Sequence, residues 1–219
     1  MTTPFVSLDV ISSLTDVEHA EVAELGRAVY PPAEWANWPG RMLEWTPAEW
    51  CVRVWRTDGG ECAVTENLGA TQWHSEPIPS GVGGMAERSA AMLRRDSRLV
   101  SYAGIVLRHA LHDGAPVLIG GIGSVKTHPE ARGRGYASLA IRRAVEFFRD
   151  RPDMSFGLLV CDPPLIAYYA RLGWKLFNGR LMVVQHGSIE EFTFDRVMTL
   201  DLHTPAPTTG TIDLHGPPW

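Results

Sequence analysis

The residues of this chain whose types and spacing most suggest chemistry lie between 121 and 137, GIGSVKTHPEARGRGYA. There an apolar run meets Arg132, Gly133, Arg134, Gly135, Tyr136 and Ala137. Glycines at 133 and 135 let backbone N–H groups turn toward a ligand that a Cβ atom would block. A helix starting directly after them adds unpaired amides and the positive end of its dipole, so the chemistry that suits this layout is pyrophosphate binding. Neither common phosphate motif fits, because no lysine and serine or threonine pair follows the second glycine and the glycines are too close together for a dinucleotide fingerprint. Taken alone, such a hexamer is equally a plain surface turn.

The elements around it narrow the choice. Ala137, Ala140, Ile141, Ala144, Val145 and Phe148 recur at helical spacing, with Arg142, Arg143, Glu146 and Arg149 mostly on the other face, and Pro152 stops the helix. Phe156 to Cys161 has strand composition. It leads into Asp162 and Pro163, an N-cap and a first-turn proline, and a helix that carries Tyr168 and Tyr169 and ends at Gly173. Arg-x-x-Gly-x-Ala over 132–137 resembles the acetyl-CoA pyrophosphate loop of the GCN5-related N-acetyltransferases, the GNAT superfamily. Tyr-x-x-x-Gly-Trp over 169–174 is similar to the motif after that superfamily's fifth strand.

The resemblance implies an α/β (α+β) GNAT fold, a central mixed and mostly antiparallel sheet flanked by helices, with acetyl-CoA as co-substrate and no metal. It implies that the strand through Val125 and Thr127 pairs with the pantetheine arm and that Arg132, Gly133, Arg134, Gly135, Tyr136 and Ala137 hold the pyrophosphate. Tyr169 matches the general acid that protonates the departing thiolate, and a phenol of ordinary pKa ~10 is protonated at neutral pH. Tyr168 points off a different helix face and reads as a core residue.

Composition sets the outer limits. The chain has 219 residues, 45% hydrophobic and 21% charged, which suits one ordinary globular domain with a real core. A formal net charge of −5 leaves no basic footprint for nucleic acid and no polybasic membrane patch, while it suits a cationic small molecule. Cys51, Cys62 and Cys161 are odd in number and lack Cys-x-x-Cys spacing, which points to reduced thiols. The N-terminal MTTPFVSLDVISS lacks the features of a signal peptide, and no stretch reaches the ~18 apolar residues of a membrane span, so a cytoplasmic location is expected. His109, His112 and His128 read as structural or exposed.

Along the chain, 15–29 reads as an amphipathic helix with an acidic first half, ended by Pro31 and Pro32. Strands are predicted over 50–55, 99–107, 115–127, 175–184 and 196–202, with Asp113-Gly114 as a hairpin turn. A single acetyltransferase domain over 1–219 is expected, with an insertion at about 57–97 that is rich in Gly, Pro, Ser and Thr and holds a helical candidate over 85–95.

A narrower resemblance lies outside the superfamily motifs. Glu34-Trp35 followed by Gly40 and Met42, and a final tryptophan preceded by Asp213 and Gly216, are similar to the aminoglycoside 2′-N-acetyltransferases. Residues 102–202 align with that family almost without gaps. This implies acetylation of an amino group on a cationic amino sugar, with antibiotic resistance as the consequence. It also implies that Glu34, Asp195 and the Trp219 α-carboxylate line the acceptor pocket; apart from the resemblance, Trp35 or Trp38 offers an aromatic face that suits stacking on a sugar ring. The family's strand glutamate is Gly123 here, and an acidic residue near the end is Pro217. Those departures point toward an atypical acceptor such as kasugamycin and leave Glu34, Asp195 and the terminal carboxylate, acting through water, as open candidates for the base. Homodimers are frequent among such relatives. Two alternatives remain: transfer to another small amine or a protein N-terminus, and a non-catalytic acyl-CoA or sugar-binding sensor.

Overall fold

The structure, a computed structural model, describes residues 4–57 and 97–219. The predicted insertion and its helical candidate, with Cys62, lie almost wholly outside the described residues.

Strand β1 (Phe5–Val10) leads through a 3-10 turn to helix α1 (Asp16–Val29). Thr15 starts the helix in a capping box, accepting from the Glu18 amide while the Glu18 carboxylate accepts from the Thr15 amide. The proline pair ends α1 as expected, but Pro32 also opens a short helix α2 (Pro32–Asn37) that the pattern did not reveal. A proline at a first helical position loses no hydrogen bond, so the same residue serves both purposes.

Strands β2 (Trp50–Thr57), β3 (Ser97–His112) and β4 (Ala115–Thr127) form an antiparallel meander, with Asp113 (φ +48°) and Gly114 (φ +82°) making the predicted tight turn. Strand β3 runs well beyond the predicted 99–107. Its length lets β2 occupy the first part of one edge and β10 (Thr211–Asp213) the far end, while β4 pairs along the other edge. Helix α3 (Tyr136–Arg149) crosses over to β5 (Phe156–Cys161), which is parallel to β4. The predicted helix up to Gly173 divides into a 3-10 turn, Pro163–Leu165, and a short α4 (Ile166–Ala170).

Beyond it lie β6 (Lys175–Leu176), β7 (Arg180–Gln185), β8 (Ser188–Glu191) and β9 (Arg196–Asp201). The predicted strand over 175–184 is thus two strands. β6 pairs with β9, whereas β7 pairs with β8 and β10.

Among the described residues the result is one mixed ten-stranded sheet. Ala140, Ile141, Ala144 and Phe148 of α3 bury against Val52, Ile105 and Ile122. A second cluster gathers Phe156, Leu158, Phe177, Leu181, Ile212 and Trp219, and a third, with Leu25, Trp55 and Tyr102, lies under α1. Among the described residues no helix is long and apolar enough to cross a membrane.

Candidate active site

The site begins where two parallel strands part. β4 and β5 pair from Ile119↔Phe156 to Ile122↔Leu159 and no further. β4 nevertheless continues beside β3 to Thr127, and β5 beside β9 to Cys161. Past Ile122 and Leu159 the two facing edges have no neighbouring strand among the described residues. Their backbone groups are free to meet a ligand that runs between them as a strand does. Ser124 (φ +51°) and the register shift between Tyr102 and Gly104 mark a bulge in β4 at this fork.

A cavity of about 730 Å³ opens there, a size typical of small-molecule sites. β4 contributes Ile122 to Lys126, and the end of β5 contributes Val160, Cys161 and Asp162. Tyr169 comes from α4, Tyr30 from the end of α1, and Asp195 from the turn before β9. Trp35, Trp38, Trp45 and Trp219 line it as well.

Tyr169 is only 6% exposed, and among the described residues its phenol bonds to no protein group although it lines the cavity. Tyr168 meets it edge-on at 5.1 Å and Trp174 at 6.5 Å, which fixes the ring. Burial pushes its pKa up, and Cys161, Tyr168 and Tyr30 add to the rise, so the hydroxyl keeps its proton at neutral pH. Tyr168 instead shares a 3.1 Å hydrogen bond with Ser138 of α3 and packs against the core.

Asp195 is pushed up to about 6 by burial first, then by the charge of Asp162 and a hydrogen bond between the two side chains. Asp162 does occupy the predicted N-cap position, but its side chain caps nothing.

At the far end of β4, Pro129–Ala131 forms a 3-10 turn and the chain then passes through Gly133 (φ +74°) and Gly135 (φ +82°) into α3. Only glycine adopts such angles without strain. No side chain caps α3 and no acidic residue sits in its first turn, so its leading amides remain available to an anion. Arg132 and Arg134 are exposed, and the Arg132 Nε donates to the Thr127 carbonyl at 3.3 Å. The Thr127 hydroxyl meets Ser101 Oγ at 2.9 Å, whereas Val125 lines the cavity; Tyr136 and Ala137 are half-buried at the helix start.

The acceptor-side residues divide. Trp35 is 50% exposed and its ring lies 5.1 Å from Trp38, which stacks on Trp45 at 5.7 Å. Glu34, its neighbour on α2, is exposed and does not line the cavity.

Trp219 is 6% exposed, so the final residues are no frayed tail. Pro217 and Pro218 carbonyls accept from the Thr46 hydroxyl at 2.8 Å and its amide at 2.6 Å. A Cβ at Gly121 would stand 2.2 Å from the Trp219 indole, and one at Gly123 2.9 Å from the Trp219 carbonyl carbon. Position 123 thus lacks a side chain because Trp219 fills the space.

Sequence reasoning missed several lining residues, four of which bear on the chemistry. Asp162 was read only as a cap. Tyr30, Arg27 and Lys126 carried no motif, although Lys126 beside Val125 on an otherwise apolar strand was a visible signal. Its ammonium lies 5.1 Å from the Tyr102 ring centroid, no carboxylate stands within ion-pair distance among the described residues, and burial lowers its pKa.

A forked parallel pair, with a glycine loop and an uncapped helix beyond it, defines the GNAT fold. Residues 76–177 match the family model described as the acetyltransferase (GNAT) domain. The match begins inside the segment read as an insertion. Among solved structures, Escherichia coli ElaA superposes with a TM-score of 0.53 at 13% identity, covering 91% of this chain and 100% of its own. E. coli YhbS, a GNAT family N-acetyltransferase in complex with CoA, gives 0.52 at 12% identity over 98% of this chain and 92% of its own. A Pseudomonas aeruginosa acyl-CoA N-acyltransferase gives 0.50 at 14% identity, covering 91% and 100%. At such identities the likeness concerns the fold. No curated protein matches the chain significantly.

Proposed function

We propose that this chain is an acetyl-CoA-dependent N-acetyltransferase whose acceptor is a primary amine of an aminoglycoside, kasugamycin being one candidate, with antibiotic resistance as the outcome. The observation that carries the reading is the cavity at the β4–β5 fork. It brings a buried phenol with no partner among the described residues, two carboxyl groups and a wall of indoles to the point where a thioester threaded between the strands would end. The CoA complex of YhbS, which shares the fold, supports the choice of thioester carrier.

In this reading the pyrophosphate rests on the amides around Gly133 to Ala137. The pantetheine arm lies along the free edge of β4 past Val125, and a β4 amide polarises the thioester carbonyl. The amine enters along Trp35, Trp38 and Trp219, its ammonium drawn by Asp195. Once neutral, it attacks the carbonyl carbon, and Tyr169 gives its proton to the departing sulfur.

A second reading, transfer to another small amine or a protein N-terminus, is favoured by Arg27 and Lys126. They add two cations to the cavity lining and suit an acceptor that also carries an anionic group. Incubation with acetyl-CoA and, separately, kasugamycin, gentamicin, a polyamine and a short peptide, followed by mass spectrometry, decides between them. A mass gain of one acetyl group on an aminoglycoside supports the first reading. Acetylation of the peptide alone replaces it with the second, and no product with any amine removes both.

A further inference from the structure

We propose that Asp162 and Asp195 act as one acid–base unit in which Asp195 receives the acceptor's ammonium and takes its proton, and Asp162 is the positioning residue beside it. The inference rests on the transferase reading above and supplies the base that Gly123 cannot provide.

The geometry comes from three separate segments. Asp162 follows β5 directly, and the turn after it starts with two prolines, so its two leading amides are missing and the carboxyl group caps nothing. Asp195 arrives from the turn before β9, which pairs with β5 up to Cys161↔Arg196. That pairing sets residues 162 and 195 side by side at the end of the same ladder, and both line the cavity. Tyr169 lines it too, 6% exposed and with its hydroxyl unpartnered among the described residues. An amine held between the pair and the phenol has a proton acceptor and a proton donor within one enclosure.

A like charge beside a carboxylate disfavours its ionised form, which raises that carboxylate's affinity for a proton toward the working range. Asp195, pushed up to about 6, fits that behaviour. The other groups facing the pair are Cys161 and Tyr30, whose own pKa values rise through burial and the nearby carboxylates. Arg27, Lys126 and Tyr169 face the same cavity.

The steps balance. The doubly ionised pair takes one proton from R–NH3+, leaving R–NH2 and a singly protonated pair. Nitrogen then bonds to the acetyl carbon, the C–S bond breaks with its electrons on sulfur, and Tyr169 protonates that sulfur. The proton still surplus on the new amide nitrogen restores the phenol, and the proton on the pair leaves to solvent. Acetyl-CoA and ammonium become amide, CoA thiol and one released proton.

The test uses the full-length chain with 13C-labelled aspartate carboxyls, as wild type and as Asp162→Asn. Asparagine removes the like charge and offers an N–H donor to the Asp195 carboxylate, so the Asp195 titration should move down by about one pH unit. The acidic limb of kcat/KM, measured with an amine that wild type acetylates, should fall by the same interval, with acetyl-CoA affinity unchanged. Asp162→Ser serves the same purpose if the asparagine variant does not fold. An Asp195 titration that stays put overturns the pairing, and a rate limb that fails to follow the titration overturns the role as base. If wild type acetylates no amine, the transferase reading falls along with the base role, while the carboxyl titration still decides the pairing.

Discussion

Tyr169 makes the sharpest prediction at the scale of single residues. Its ring is packed against Trp174 and Tyr168, so Tyr169→Phe removes one hydroxyl and little else. If that hydroxyl protonates the thiolate, kcat should drop by about 10²- to 10³-fold, while the calorimetric affinity for acetyl-CoA changes less than about threefold. A phenylalanine variant with undiminished kcat would assign the sulfur's proton to water. Cys161 poses the complementary question, because a thiol in the same cavity suggests an acyl-cysteine intermediate. Burial, helped by Asp195 and Asp162, pushes it up to about 11, so almost none is thiolate at neutral pH. Cys161→Ala is expected to retain turnover within about threefold, and an acetylated Cys161 in quenched reactions would contradict direct transfer.

At the scale of elements, the final residues behave as an extra layer of the sheet. β10 fits between β3 and β7, and the chain then passes Thr46 to seat Trp219 on Gly121 and Gly123. Gly121→Val puts branched carbon where the indole lies and should displace it, at a cost of about 1–3 kcal/mol in chemical denaturation, with the Trp219 fluorescence shifted to the red. An unshifted spectrum with native stability would mean that the indole is not held there. The same elements explain what could be read in the sequence. The α3 stripe, the Asp113-Gly114 turn and the 132–137 loop are local signals whose meaning depends on neighbours a few residues away. The structure has the helix, the turn and the strand–loop–helix order where these signals put them. α2, β1, β8 and β10 are short, and β1 and β10 owe their strand state to partners distant in sequence, so no period announces them. Asp162 was misread for a related reason. Its local context is that of a cap, and only the β5–β9 pairing, which joins positions more than thirty residues apart, shows the partner that its side chain has instead.

Across the whole molecule, two carboxylate sites respond to pH with opposite sign. Arg53 is 1% exposed on β2, and it ties β1 to α1 by bonding Asp9 at 2.9 Å and Glu18 at 2.8 Å while lying 4.7 Å from the Trp55 ring centroid. Burial alone would raise Glu18, but the Thr15 amide and the Arg53 guanidinium outweigh it and hold its pKa at about 2, below the ordinary 4.5. A depressed folded pKa means that stability is fully present above the ordinary value and is lost as pH falls from there toward 2. Asp195 is the reverse case: its folded value of about 6 exceeds the ordinary 3.8, so its contribution is fully present below 3.8 and is lost as pH rises through 6. The scaffold therefore favours neutral pH through Glu18, while the site works against stability under the conditions in which its carboxyl pair is ionised, a common relation between function and stability. Asp195→Asn should leave the melting temperature unchanged at about pH 4 and raise it progressively above wild type between about pH 4 and pH 7. Glu18→Gln should do the opposite, lowering it at neutral pH and converging on wild type as the solution is acidified. Differential scanning calorimetry of the three proteins across that range reads both signs, and an Asp195→Asn curve parallel to wild type at every pH would show that the pair carries no strain into the fold.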